Sequence, residues 1–428
     1  MENMTIVAAV LFIGMYIFIV SEKINRTIVS MLGAMLMIAA GVLTQEQAVH
    51  HIDFNTLGLL IGMMIIVSIT GQTGLFNYIA IWSAKKAKGR PVRILFYLAF
   101  ITAICSAFLD NVTTVLLMVP VTLSITNKLK VEPMPYLIML IVASNIGGTA
   151  TLIGDPPNIM IGSAVPELTF LAFIENLAVI ALINLIVVII VLIILYHDSL
   201  VTTPELKAQL MLLDEKKVLK DPVLLKKCLW ILALTILGFF THQNFHLESS
   251  LVALCGAFIL LLIGKRDHKF IEKAFAKVEW TTIFFFIGLF AAVGGLIEVG
   301  IIEWIAKQGM ELTGGDITKS SLLILWASAI LSAFLDNIPF VATMIPLIQN
   351  MGTMGVTNLE PLWWSLALGA CLGGNGTIVG ASANLIVAGL AAEAGHKISF
   401  IQYIKVGFPI MILTICLSTV YLYFRYLI

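Results

Sequence analysis

The chain is a succession of apolar runs, each about as long as a bilayer is thick. A helix rises about 1.5 Å per residue, so some 17–25 residues cross the ~30 Å hydrocarbon core. Runs of this kind fall near Met4–Val20, Thr27–Leu43, Phe54–Gly71, Met134–Val165, Leu171–Tyr196, Cys228–Thr241, Ser249–Gly264, Trp280–Val299, Pro361–Ala394 and Val406–Leu422. None alternates polar and apolar residues at every second position, as a membrane β-barrel would. Backbone in lipid must satisfy its own hydrogen bonds, so the expected fold is an all-α polytopic membrane protein. With 60% of 428 residues hydrophobic and 12% charged, no soluble core accounts for the composition. The first run has no cleavage-like small-residue pattern after it and reads as a retained span. A net charge of zero offers nucleic acid no basic surface. The five cysteines form no CxxC, and the seven histidines show no ligand spacing, so no metal or other cofactor is expected.

Two apolar segments, Arg93–Thr126 and Lys319–Asn350, carry Asp-Asn at their centres. The first contains SAFLDNVTTVLLMVP (Ser106–Pro120) and the second SAFLDNIPFVATMIP (Ser332–Pro346). Each divides into halves of about 15 residues, roughly 23 Å as helix and short of a bilayer core. The expected form is a re-entrant hairpin with its tip at mid-membrane. That assignment places about 22 of the 25 basic residues on one side, including Lys23 and Arg26, KKAKGRPVR (Lys85–Arg93) and Lys265–Lys277. The basic loops are then cytoplasmic and both termini are outside. The polar stretch 197–227 reads as a cytoplasmic linker between a first half (1–196; hairpin 93–126, broken helix 134–165) and a second (228–428; hairpin 319–350, broken helix 361–394).

A constant shift lays Asp53–Ala164 on Glu279–Leu390 without a gap. It matches SAFLDN with SAFLDN, Pro120 with Pro346, and SNIGGTATLIGDPPN (Ser144–Asn158) with ACLGGNGTIVGASAN (Ala370–Asn384). Five spans and one hairpin per half force the second copy to be inverted. Inverted repeats with interrupted helices place a transport site at the repeat interface. Gly147, Gly148 and Gly154 before Pro156 and Pro157 cannot continue a helix, so the backbone must break there. The candidate transport and ion-binding residues are Asp110, Asn111, Thr113 and Thr114 at the first tip. Along the first broken helix they are Asn145, Gly147, Gly148, Thr149, Thr151, Asp155 and Asn158. The second half contributes Asp336, Asn337, Gly373, Gly374, Asn375, Thr377, Ser382 and Asn384. An Asp in mid-membrane is either a ligand or proton carrier, or an N-cap for its returning half-helix. Asp110, Asn145, Asp336 and Asn375 are candidate sodium ligands.

No Lys or Arg stands in a tip or broken helix, so the acids favour a bound cation or cycling protons. Helix N-termini can hold an anion without formal charge. A soft arsenic site needs clustered thiols, and Cys105 and Cys371 are the two near the motifs. With no nucleophile–base pair or nucleotide motif, an enzyme is not expected.

FLDNVTTVLL, SNIGGTATLIGDPPN, FLDNIPFVATMIP and ACLGGNGTIVGASAN resemble the ion-transporter superfamily. Within it they resemble the arsenite-pump, sodium–proton antiporter and P-protein group (ArsB, NhaD, pink-eyed dilution), and most closely the P-protein branch. The resemblance implies a scaffold and an elevator-type transport domain, in a homodimer. It implies a proton- or sodium-coupled secondary transporter exporting a small inorganic solute, arsenite-like or an anion. A sodium–proton antiporter and a passive anion channel are the alternatives. Dicarboxylate carriers of the superfamily have Ser-Asn-Thr at both tips. Asp110-Asn111-Val112 and Asp336-Asn337-Ile338 depart from that pattern, which argues against a dicarboxylate.

Overall fold

A computed structural model describes residues 2–21, 23–265 and 267–428. Arg266, one of the loop cations counted above, lies outside the described residues, as do Met1 and Glu22. The principal helices of the first half are α1 (Glu2–Ser21), α2 (Arg26–Ala39), α3 (Phe54–Gln72), α4 (Leu75–Lys86), α5 (Pro91–Leu109), α6 (Asn111–Leu129), α7 (Met134–Thr149), α8 (Pro156–Ala164) and α9 (Phe170–Leu195). Those of the second half are α10 (Pro222–Thr241), α11 (Ser249–Ile263), α12 (Trp280–Glu298), α13 (Ile301–Thr313), α14 (Ile317–Phe334), α15 (Asn337–Thr353), α16 (Glu360–Gly373), α17 (Ser382–Glu393) and α18 (Phe400–Tyr426). No strand occurs among the described residues. Nine helices there are long and apolar enough to cross a bilayer.

Local chemistry sets the helix starts. Asp53, Asp221 and Asp316 accept backbone N–H groups at the heads of α3, α10 and α14. Ser399 and Gln402 form a capping box on α18. Proline occupies the first turn of α5, α8, α10 and α16, where its missing N–H costs nothing. Helices begin at residues 54, 75, 91, 111, 134 and 156, and again at 280, 301, 317, 337, 360 and 382, a constant shift of 226. Two of these, α4 and α13, fall where the sequence reading had no span. Each follows a left-handed glycine (Gly74, φ 84°; Gly300, φ 78°) that turns the chain, and at 12 and 13 residues neither crosses a bilayer.

Both Asp-Asn segments fold as two helices meeting at the acid. Their arms are longer than expected: α5 and α6 have 19 residues each, about 28 Å. The outer ends of these arms nevertheless lie together. α7 starts five residues after α6 ends, and Tyr136 in its first turn donates its hydroxyl to Pro91 O at the head of α5 (3.0 Å). The linker covers the same end, with Thr202 donating to Leu129 O at 2.6 Å. Lys85 of α4 also reaches the linker, pairing with Glu215 at 2.5 Å.

Close helix contacts hold the breaks in place. A Cβ on Gly147 would lie 2.2 Å from Ala103 O, and one on Gly373 would lie 2.6 Å from Ala329 O. Thr151 and Thr377 donate to Ala107 O and Ala333 O respectively. In both halves the partners are 44 residues apart, so α5 runs alongside α7 as α14 runs alongside α16. Likewise Gly62 admits Ala253 of α11, while Gly288 admits Ser30 of α2.

Gly147→Ala and Gly373→Ala should each cost about 1–3 kcal/mol by overpacking. They should lower the thermal midpoint of purified protein, whereas Gly309→Ala, with no atom within 4 Å of the added methyl, should not.

Candidate functional site

The two broken helices place backbone polar groups in the apolar interior, where each unpaired group is costly. One asparagine per half meets that demand. Asn158 donates its amide to Gly148 O, Thr149 O and Thr151 O (3.3, 3.1 and 2.9 Å). Asn384 donates to Gly374 O and Thr377 O (2.7 and 2.8 Å). Both side chains are fully buried.

A third asparagine joins the halves. Asn145 Nδ2 donates to Asn375 Oδ1 and Asn384 Oδ1, both at 3.0 Å, and Asn111 Nδ2 reaches Asn145 Oδ1 at 3.3 Å. The second tip crosses over as well: Asn337 Nδ2 lies 3.5 Å from Asp155 Oδ1. Cys371 of α16, absent from the sequence-derived site, approaches Asn158 Oδ1 at 3.5 Å.

The three acids are not equivalent. Asp110 caps α6, accepting Thr113 N and Thr113 Oγ1 at 2.8 Å each. Its backbone sits at φ 92°, ψ 155°, a region that disfavours residues with a Cβ and stores about 1–3 kcal/mol. Asp336 caps Ile338 N at 3.1 Å from an ordinary conformation. Asp155 stands at the head of α8 without capping it, and its Oδ2 is buried with no partner among the described residues.

One expectation from sequence needs correcting. The acids do have a basic partner: Arg26, taken above as a loop residue, is the first residue of α2. It pairs with Asp336 and donates to Ser382 Oγ at 2.9 Å. Ser382 in turn donates to Asp336 Oδ2 at 3.1 Å. Arg26 is remote in sequence from every motif, so no spacing pointed to it. Glu279 and Thr282 were also missed and belong to the same wall; Thr282 Oγ1 donates to Glu279 Oε2 at 3.0 Å.

These groups enclose a cavity of about 30 Å³ lined by Asp110, Asn111, Asp155, Pro156, Asn337, Ser382, Arg26 and Glu279, among others. The space suits a water or a small ion. It meets the starts of four helices, α6, α8, α15 and α17. Beyond Arg26, Asp336 and Ser382 a wider cavity of about 350 Å³ opens. A separate cavity of about 660 Å³ lies against Asp53, Asn55, Ser163 and Ser249. Of the other candidates, Thr113 serves Asp110, and Thr149 donates to Asn145 O at 2.8 Å. Thr114 Oγ1 is buried without a partner among the described residues. Gly147, Gly148 and Gly373 make close backbone packing contacts, and Gly374 packs against Ala381. Of the candidate sodium ligands, Asn145 and Asn375 touch each other, Asp110 is engaged with Thr113 and Asp336 with Arg26.

An interior cavity walled by broken helices is the mark of a membrane protein that carries solutes rather than one that only spans. A family profile described as citrate transporter (CitMHS) matches residues 16–369, and the chain belongs to that family. It is similar to an uncharacterized transporter of Mycobacterium tuberculosis, 41% identical over 99% of both chains. The human P protein is 32% identical over 98% of this chain, which spans 60% of that protein's length. The P-protein resemblance read from the motifs is thereby borne out; the family itself is named for citrate, not for arsenite or sodium. In fold the chain is similar to the crystal structure of the Alcanivorax borkumensis YdaH transporter, described as having an unusual topology. The TM-score is 0.54 at 15% identity, covering 92% of this chain and 89% of that one.

Asn145→Ala would strip the donor from Asn375 Oδ1 and Asn384 Oδ1 together. At about 1–3 kcal/mol for a buried group left unpaired, the thermal midpoint in detergent should fall well below that of Asp110→Asn, which keeps a capping oxygen.

Proposed function

We propose that this secondary transporter moves a small anion coupled to protons or sodium, through the cavity between the two Asp-Asn tips. The observation carrying the reading is the convergence of four helix starts on one buried space beside the unpartnered Asp155 Oδ2. Each helix start contributes about half a positive charge, so the four supply about two. Arg26 adds one. Against them stand the carboxylates of Asp110, Asp155, Asp336 and Glu279. With all four ionised the site carries about one negative charge in excess, which one proton or one sodium ion cancels. A carrier that needs a cation before it can hold an anion is a coupled carrier.

A carboxylate substrate is favoured by the family's description as citrate transporters, with the bound cation offsetting the charge that the Asp-Asn tips add relative to Ser-Asn-Thr. One buried thiol, Cys371, is too few for a soft arsenite site. The charge excess equally favours a second reading, sodium–proton antiport without an anion.

In the mechanism we favour, α5–α6 and α14–α15 are re-entrant hairpins of two inverted repeats. With α7–α8 and α16–α17 they form a transport domain that moves against the remaining helices, in a homodimer of the prokaryotic inner membrane. The 350 Å³ cavity beside Arg26 opens to the cytoplasmic, lysine-rich side and the 660 Å³ cavity to the other. The constant 226-residue shift and the paired contacts 44 residues apart support the repeat.

In proteoliposomes with an imposed proton gradient, citrate, sodium, chloride and arsenite should be added singly while internal pH is read. Citrate-dependent proton movement is expected in the parent and absent in Asp155→Asn. A response to sodium alone would establish antiport in its place, and undiminished coupling in Asp155→Asn would sink the role of the acid.

A further inference from the structure

Arg26 is half satisfied where it stands. Among the described residues its hydrogen bonds run through Nη1 alone, to Asp336 Oδ2 and Ser382 Oγ. The guanidinium carbon lies over the ring of Phe285, 5.0 Å from its centroid. The side chain is 28% exposed and borders the 350 Å³ cavity, of a size suited to a small organic ligand. A guanidinium has five donors in a planar fork that matches a carboxylate edge-on with two parallel bonds. The single-nitrogen contact with Asp336 leaves most of that capacity unspent.

Asp336, for its part, does not depend on Arg26. It caps Ile338 N and accepts from Ser382. An ion pair in which one partner is independently satisfied, and the other keeps unused donors beside an open cavity, is exchangeable. The inner cavity lies directly behind it: Arg26 and Ser382 line both spaces. Asp155 Oδ2, buried and unpartnered, borders the inner one.

We propose that Arg26 is the anion-recognition residue of this transporter. A carboxylate-bearing solute in the wider cavity takes the guanidinium edge-on and displaces Asp336, which acts as a built-in competitor. Once released, the Asp336 tip no longer holds α2, and the uncapped helix start of α17 lies beside the anion. The inference rests on the reading above that the protein is a coupled carrier of anions. It deepens that reading by assigning the selection to one side chain outside every sequence motif.

The two partners must then affect binding with opposite sign. Full-length protein, its R26Q, R26K and D336N variants, and the probes citrate, succinate, sulfate and sodium chloride provide the test, read as ligand-dependent shifts in thermal midpoint. Asn at 336 keeps the oxygen that caps Ile338 N, and its amide can donate to Ser382 Oγ where the carboxylate accepted, so D336N should fold and should bind citrate or succinate about tenfold tighter than the parent. R26Q should bind them at least about tenfold more weakly. R26K, which offers a point charge rather than a fork, should fall nearer R26Q than the parent. Weakening in both R26Q and D336N would mean that the pair only holds the structure together, and would overturn the proposal. So would unchanged binding in R26Q, stronger binding of sulfate than of either carboxylate, or no shift with any carboxylate. Arg26-dependent carboxylate binding without proton-coupled flux in proteoliposomes would retire the coupled-carrier reading alone. Coupled flux with carboxylate affinity unchanged in R26Q would retire this inference alone.

Discussion

Everything at the centre of this molecule depends on keeping an interrupted backbone satisfied in a place without water. Where α7 and α16 stop, carbonyl groups lose their helical partners. The amides of Asn158 and Asn384, each reaching back over the break, replace those partners. Only because the breaks are stable can α8 and α17 begin anew inside the molecule, with their positive ends at the same cavity as α6 and α15. Close glycine contacts serve the same end by bringing a neighbouring helix near enough for Thr151 and Thr377 to donate across the gap. The polar site is thus a by-product of the device that makes the break tolerable.

Much of this was legible in the sequence. Apolar length gave the spans, and GGTATLIGDPPN with its counterpart gave both breaks, because glycine and proline act on the backbone within a few residues of themselves. The helix starts recur at the shift found by aligning the two halves. The cap at Asp110 was among the roles considered for it, and the structure supplies the cap through Thr113. What escaped notice depends on distant pairing. Arg26 looked like one more loop cation because nothing within 300 residues of it in the sequence announces Asp336. Cys371 was noted only as one of two thiols near the motifs, and Asn145 gave no sign that it would bond to the other half. The helices α4 and α13 were hidden by their shortness and by the polar residues they carry.

The halves are alike in backbone and unlike in charge. Asp110 is strained and Asp336 is not. The heads of α6, α8 and α15 each follow an aspartate, whereas α17 follows Ala381. Matching positions of the two halves thus differ electrostatically, as the coupled carrier proposed above would need.

That inequality extends to the helices flanking the site. Gly288 packs on Ser30 of α2 as Gly62 packs on Ala253 of α11, so the place of Arg26 is taken in the other half by Ser249. Ser249 lines the 660 Å³ cavity, where its hydroxyl lies 3.4 Å from Asn55 Oδ1. In the carrier proposed above, one mouth would be bordered by a permanent cation and the other by a neutral hydroxyl. Net flux still obeys the gradients, but the two mouths need not work at the same pace. An empty molecule would linger in the conformation that keeps its ion pair, so capture from the two compartments would differ in speed and in half-saturation. Such a difference would act as a kinetic rectifier in that carrier, set by one residue that differs between the halves.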